Sequence, residues 1–291
     1  MTILALIGVG KWGANYLRAI KHIPDCRIAY VCTHDYRRLA GNSDVDGVIV
    51  ATPAETHFEI ARFFLQKNIH LLVEKPLAIT YRDALRLKML YEKGSSMVMV
   101  GHIYVHNPAF CAFVSNVSTI GRIQYLMFES GNYGPFRKNT TALWDWGPHD
   151  ISMCLTIMGE DPISVAAWGG DDMIEMRLDF SGDTSAVIRT GRLLPEKKKY
   201  CAAIGEKGNI VFDDLAENKV TRYTYSGSSH RSYPTYDQKE PLVEQLRYFV
   251  DAIRNQIRLD SDFLMGVRVV GVLDAAQQSL KSHGKTIQII A

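Results

Sequence analysis

The spacing of apolar residues changes near residue 120, and the change separates two kinds of structure. Before it, short β-rich runs alternate with stretches of helical spacing: Thr2 to Ile7 then Trp12 to His22; Arg27 to Cys32; Gly47 to Ala51 then Ala54 to Lys67; His70 to Val73 then Tyr81 to Glu92; and Met97 to Val100. Such alternation predicts a parallel sheet covered by helices, since each parallel strand needs a crossover to reach the next. The helix from Tyr81 is bounded on both sides, with Thr80 and Asp83 spaced as a capping box and Gly94 as its stop.

After residue 120 the period falls to two. Ile174, Met176, Leu178 and Phe180 alternate with Glu175, Arg177 and Asp179, and Ser181-Gly182-Asp183 turns the chain into Ser185 to Thr190, a hairpin with one buried face. Further strands are expected at Arg122 to Ser130, Ser164 to Trp168, Tyr200 to Ile204, Asn209 to Asp213 and Val220 to Tyr225. An amphipathic helix follows, with Leu242, Leu246, Phe249, Val250, Ile253 and Ile257 on one side, and a last helix spans Phe263 to Ser282. The expected fold is therefore an α/β Rossmann-type domain over residues 1–120 and an α+β domain over residues 121–291 with a large, mostly antiparallel open sheet. An open sheet face short of covering helices becomes a subunit interface, so a homodimer or homotetramer is expected.

Composition narrows the class without naming a function. The 291 residues are 47% hydrophobic and 22% charged, with a formal net charge of +2. No basic stripe suggests nucleic acid. The one dense basic run, Lys197-Lys198-Lys199 after Pro195-Glu196, reads as a solvated turn. Cys26, Cys32, Cys111, Cys154 and Cys201 lack the spacing of a zinc site or disulfide framework and read as buried free thiols. No apolar stretch approaches the ~20 residues of a membrane span, and the first residues lack the flanks of a signal peptide, so a cytoplasmic protein is expected.

Two clusters carry chemistry. Gly8-Val9-Gly10-Lys11-Trp12-Gly13 lies between a strand and a helix, where glycines permit a tight turn and let backbone N–H groups approach a pyrophosphate at the helix N-terminus. An acid for the ribose is expected about 20 residues further on. Here the second strand ends in Thr33-His34, and the acid appears only at Asp35; nearby Arg37 and Arg38 would suit a 2′-phosphate, leaving NAD and NADP both open. Only 14 residues separate Cys32 from Gly47, room for a helix of one or two turns. Ligands in such a sheet bind beyond the carboxyl ends of the strands, which is where Ala51-Thr52-Pro53, His57 and Glu74-Lys75-Pro76 fall.

The second cluster is Trp144-Asp145-Trp146-Gly147-Pro148-His149-Asp150. Pro148 opens a helix and His149 lies in its first turn, where the dipole disfavours imidazolium and leaves the neutral ring that a general base requires. Asp145 is placed to orient that ring or hold a substrate hydroxyl, although Asp145 and Asp150 also fit as plain cap residues.

In these residues the chain resembles the glucose-fructose oxidoreductase and inositol dehydrogenase (Gfo/Idh/MocA) family. The likeness rests on Gly8, Gly10 and Gly13; Thr52-Pro53 with His57; Glu74-Lys75-Pro76; Gly101-His102 with Asn107-Pro108-Ala109; and Asp145-x-Gly147-x-His149-Asp150. It implies a Rossmann domain, an open-sheet domain, and NAD(P)-dependent redox chemistry at a hydroxyl or carbonyl of a sugar, nucleotide sugar or polyol. Lys75 is then the lysine that bonds the reacting oxygen, His149 the proton-transferring residue and Asp145 its partner. Three features depart from the family pattern: the short segment after the second strand, the absence of an arginine near Tyr104 and Val105, and the short chain.

The cofactor is accordingly expected at Gly8, Gly10, Lys11, Trp12, Gly13, Thr33, His34, Asp35, Ala51, Thr52, Pro53, His57, Glu74 and Lys75. The substrate is expected at Lys75, His102, Tyr104, Tyr133, Arg137, Asp145 and His149, with no metal. Arg137 and Lys138, in the loop from Asn132 to Thr141, suit an anionic substrate such as a nucleotide sugar, while a free sugar or polyol remains the competing class. Two other functions stay open: a catalytically inactive NAD(P)-binding sensor, and a transferase using another nucleotide-containing ligand.

Overall fold

The computed structural model describes residues 1–226 and 228–289. The chain forms two compact units, one of residues 1–106 and 239–270, the other of residues 107–238 and 271 onward.

The first unit is built on five parallel strands: β1 (Thr2–Ile7), β2 (Cys26–Cys32), β3 (Gly47–Val50), β4 (His70–Glu74) and β5 (Val98–Gly101), in the order β2-β1-β3-β4-β5. Every residue of β3 is buried, as expected for a central apolar strand covered on both faces, and so is every residue of β5, although it ends the sheet. The edge strand β2 alternates between exposed and half-buried positions. Helices α1 (Gly13–Ala19), α2 (His57–Leu65) and α3 (Tyr81–Lys93) supply crossovers, while β2 reaches β3 through a short 3-10 helix, Tyr36–Gly41. Two of the three helical stretches expected in the first half are split: α1 gives way to a 3-10 turn at Ile20–His22, and Ala54–Thr56 is a 3-10 turn ahead of α2.

Thr80 caps α3 as expected, its hydroxyl accepting from the Asp83 N–H at 3.1 Å and donating to the Asp83 carboxylate at 2.9 Å. Gly94 ends that helix for a different reason than a left-handed cap. Its φ is −105°, and a β-carbon there would lie 2.8 Å from Asn68 Oδ1, so a side chain would have to displace Asn68 from its bond to the Ser95 N–H.

The second unit contains α4 (Pro108–Asn116), β6 (Ile123–Tyr133), α5 (Ala142–Asp145), α6 (Gly147–Met158), β7 (Ser164–Gly169), β8 (Met173–Asp179), β9 (Ser185–Gly191), β10 (Leu193–Gly205), β11 (Gly208–Asp213), β12 (Val220–Ser226) and β13 (Ser228–Ser232). The hairpin expected at Ser181-Gly182-Asp183 joins β8 to β9. Among the described residues only β6 and β9 pair in parallel in this sheet; the other pairs are antiparallel. The basic run at Lys197 to Lys199 is not a turn but part of β10, and Lys199 is 3% exposed.

The chain then enters α7 (Pro241–Asn255) and α8 (Asp260–Lys281) and ends its described course with β14 (Ile287–Gln288), which pairs with β7 and completes the order β13-β12-β11-β10-β6-β9-β8-β7-β14. The apolar stripe of α7 does not serve the second sheet. Leu242, Val243, Leu246, Phe249 and Val250 join Leu4, Leu6, Tyr16, Ile49 and Leu72 in the core of the first unit. A single division at residue 120 is therefore redrawn, because α7 and residues 260–270 belong with the parallel sheet. Ile257, which shares the stripe by spacing, lies past the helix end and is 56% exposed. Of the five thiols only Cys154 and Cys201 are buried; Cys111 is exposed and Cys26 and Cys32 are half-buried. No helix among the described residues is long and apolar enough to cross a membrane.

Phe249 is fully buried where α7 meets the sheet, with the tip of its ring close to Gly47. Truncating Phe249 to Ala is expected to cost the first unit about 3–5 kcal/mol, as for other buried aromatic side chains. Urea unfolding followed by far-UV circular dichroism measures this, and an unchanged midpoint would place α7 outside that core.

Candidate active site

In the first unit, the expected cofactor residues gather at one edge. Gly8 follows β1, Thr33 to Asp35 follow β2, Ala51 to Pro53 follow β3, Glu74 ends β4 and His102 follows β5, so the parallel sheet places them all at its carboxyl end. Gly8 has φ +91°, and a β-carbon there would stand 2.6 Å from the Ala51 carbonyl oxygen. Gly13 is equally constrained, since a side chain would collide with the Gly8 carbonyl. A β-carbon added at Gly10 would meet no atom of the described residues within 4 Å, so the backbone there is approachable from outside. A loop with two sterically forced glycines and one approachable glycine, ahead of a helix, fits a dinucleotide pyrophosphate. After β2, the Thr33 hydroxyl lies 2.9 Å from His34 Nδ1, Asp35 is engaged by the Arg38 guanidinium, and Arg37 lies over the rings of Tyr36 and Phe63.

Glu74 has a role that its sequence neighbourhood did not reveal. The residue is 6% exposed, and its carboxylate accepts from the Trp12 indole, from the Tyr16 hydroxyl at 2.6 Å and from the Lys75 backbone N–H at 3.2 Å. Gln245 on α7 donates to the Tyr16 oxygen at 3.0 Å. Burial pushes the Glu74 carboxyl above the usual range, and the Tyr16 and Trp12 donors pull it back. Burial and the adjacent carboxylate push the Tyr16 phenol well up. Glu74 thus ties the glycine loop to the end of β4, next to half-buried Lys75.

His57 is also committed to the protein frame. Its Nδ1 is 2.7 Å from the Pro76 carbonyl oxygen and its Nε2 2.9 Å from that of Thr52, so the ring joins the loops after β3 and β4. Its pKa is lowered by burial. His102 is different: it is 2% exposed and neither ring nitrogen has a hydrogen-bond partner among the described residues. Burial, with help from His106 and Lys75, pushes it down to about 3, and burial pushes His106 down to about 4. Tyr104, half-buried, lies in the 3-10 helix between them.

In the second unit, α5 ends at Asp145, and His149 occupies the first turn of α6 with Pro148 just before it. The N-cap position of α6 is held by Trp146, whose side chain makes no capping bond, and Asp150 lies in the first turn. Asp145 accepts from Arg137 Nη1 at 3.2 Å and lies 3.5 Å from Arg192 Nη2. Arg192 is 1% exposed and also donates to the carbonyls of Thr140 (2.7 Å) and Arg137 (3.2 Å) and to Asp172 (3.2 Å), which fastens the loop after β6 beside Asp145. Tyr133 is 71% exposed and meets Phe136 edge-on. Asp150 is fully buried against Lys199, 2.7 Å away, and the Ser130 hydroxyl.

Sequence reasoning missed Tyr16, Gln245, Arg192 and Lys199. Each acts through a partner distant in the chain, so its own sequence neighbourhood carries no sign of the contact, and Lys199 is further masked by the basic run around it.

The paired histidines give a pH prediction. Unfolded histidine takes up a proton near 6.5, whereas folded His102 resists until about 3. The unfolded chain therefore binds more protons between those values, so stability is full above 6.5 and is lost as pH falls below it. His102→Phe is expected to flatten the decline in urea midpoint between pH 7 and pH 5, and an identical slope in both proteins would refute this origin.

Comparison with known proteins identifies the family. Residues 24–102 match the model for an oxidoreductase family with an NAD-binding Rossmann fold, and residues 117–211 match the GFO/IDH/MocA C-terminal domain. A crystal structure of a Magnetospirillum magnetotacticum MS-1 protein classed with the oxidoreductases is 33% identical, superposes with a TM-score of 0.86, and is covered over 99% of its length by 94% of this chain. UDP-N-acetylglucosamine 3-dehydrogenase of Acidithiobacillus ferrooxidans is 28% identical over 78% of this chain and 76% of its own. 2,7-Anhydro-N-acetylneuraminate hydratase of Mediterraneibacter gnavus is 24% identical over 72% of this chain, a match spanning 66% of that protein. The two family models together match more than half of the chain: it belongs to the GFO/IDH/MocA family of NAD-binding oxidoreductases.

Proposed function

We propose that this chain moves a hydride reversibly between a nicotinamide cofactor and a hydroxyl-bearing carbon of a carbohydrate, whether sugar, polyol or nucleotide sugar. The observation that carries the reading is the shared carboxyl edge of the first sheet, where the sterically forced glycine loop and Lys75 are joined through Glu74. Bound NAD(P) supplies the hydride chemistry at the nicotinamide ring. The protein supplies position and proton management. Backbone N–H groups at Gly8 to Gly13 hold the pyrophosphate, Lys75 donates a hydrogen bond to the substrate oxygen, and His149 takes its proton on oxidation or returns it on reduction. Asp145 serves as the carboxylate partner of that step, held by Arg137 and Arg192.

Both cofactors should be titrated by the fluorescence of NADH and NADPH. A panel of myo-inositol, free hexoses and UDP-N-acetylglucosamine is then scored at 340 nm and by product analysis. A hydratase among the relatives means that conversion has to be scored as well as cofactor reduction. Lys75→Met and His149→Ala are each expected to lose about 10²- to 10⁴-fold in rate, the range for removal of a positioned proton-transfer group, while binding cofactor normally. Near-normal turnover in both variants would remove this mechanism, and cofactor binding with no conversion of any panel member by the wild type would favour a sensor.

The exposed face of the second sheet supports self-association. Register brings Met127, Val187 and Ala202 side by side on β6, β9 and β10, with Tyr200 and Ile204 on the same face and Met127 42% exposed. An apolar row of this kind on an otherwise finished sheet is a subunit interface in the reading proposed, giving a dimer or tetramer. Multi-angle light scattering tests it, and a monomer at micromolar concentration would reject it.

A further inference from the structure

Asp150 follows His149 in the first turn of α6 and exposes none of its surface. Its Oδ1 lies 2.7 Å from Lys199 Nζ, and its Oδ2 accepts from the Ser130 hydroxyl, which is 2.8 Å from the hydroxyl of Thr190. Strand register sets Lys199 opposite Ser130 and Ser130 opposite Thr190, so these side chains form one polar row across β10, β6 and β9. The surroundings are apolar: Leu126, Phe128, Ile188, Cys201, Ile151 and Cys154 are all buried.

A buried ion pair is a poor source of stability. Taking both charges out of water costs about as much as their attraction returns, and apolar replacements of similar volume are often neutral or stabilising. What the pair does supply is discrimination. A helix resting on an apolar sheet can turn about its axis or slide with little change in buried area, whereas either motion here would leave a carboxylate and an ammonium buried and unmatched. Because the carboxylate sits one residue from His149, the rotation that it fixes is the rotation that aims the imidazole.

We propose that Asp150 and Lys199, with Ser130 and Thr190, form a positioning device that sets the orientation of His149. This rests on the reading above that His149 moves the proton. A shift of ~1 Å at such a group costs about 10²-fold in rate.

The test is the apolar double variant Asp150→Leu/Lys199→Met in the full chain. Expected results are a Tm equal to or above that of wild type, unaltered NADH or NADPH titration, and a fall in kcat of about 10²-fold with KM little changed for the substrate that wild type converts. The ring nitrogen signals of His149 in ¹⁵N NMR should move and broaden, a readout that needs no substrate. Wild-type kcat at a preserved Tm, or His149 signals that coincide with those of wild type, overturns the proposal. Should the double variant fail to fold, Ser130→Ala is measured in the same way: loss of kcat without loss of Tm supports the device, and wild-type kcat overturns it. His149→Ala run in parallel separates the two claims. Full turnover there removes the underlying reading, whereas loss there beside full turnover in the apolar variant removes only the positioning role.

Discussion

Glu74 stands at the last position of an apolar strand, where a carboxylate must find its donors inside the protein. It finds them in the glycine loop through Trp12, in α1 through Tyr16 and in the backbone of Lys75. Tyr16 in turn receives Gln245 from α7, a helix that enters the first unit from the far end of the sequence. One buried charge therefore fixes the loop expected to hold the cofactor and the backbone of the lysine expected to meet the substrate. Gly101 completes the arrangement, because a β-carbon there would stand 3.1 Å from the same carboxylate.

The second unit repeats the principle with other partners. Arg192 is almost fully buried and distributes its donors among Asp145, Asp172 and two loop carbonyls, while Lys199 meets Asp150 beneath the first turn of α6. Buried cations are costly unless their geometry is nearly complete, and that cost makes them effective at excluding alternative arrangements. The motif from Asp145 to Asp150 is thus held at both ends by cations more than forty residues away in the sequence, Arg192 between β9 and β10 and Lys199 on β10.

What was legible in the sequence follows from the range of the forces involved. Period and turn chemistry are local, so the strands of the first sheet, the capping box at Thr80 and the hairpin at Ser181 to Asp183 could be read directly. The glycine loop was legible because steric exclusion at Gly8 and Gly13 leaves no other residue type there. Long-range pairing leaves no such trace. The stripe on α7 shows that the helix has a buried face, but nothing in it says which sheet receives that face. Lys199 looked like a solvated charge in a basic run because Asp150, which draws it inside, lies 49 positions earlier. His57 was expected at the cofactor, yet spacing could not show that both ring nitrogens already face backbone carbonyls.

The exposed part of the loop after β6 is held less firmly than this framework. Arg137 is 56% exposed at its side chain and its pair with Asp145 is a surface contact, of the kind worth about 0–1 kcal/mol. An anionic group reaching the loop can therefore take Arg137 from Asp145 at little cost, because Arg192 stays buried beside the carboxylate and keeps it matched. A neutral polyol leaves the pair as it is. The exposed arginine can thus change its partner while the buried one continues to hold Asp145, so this loop can vary without disturbing α6.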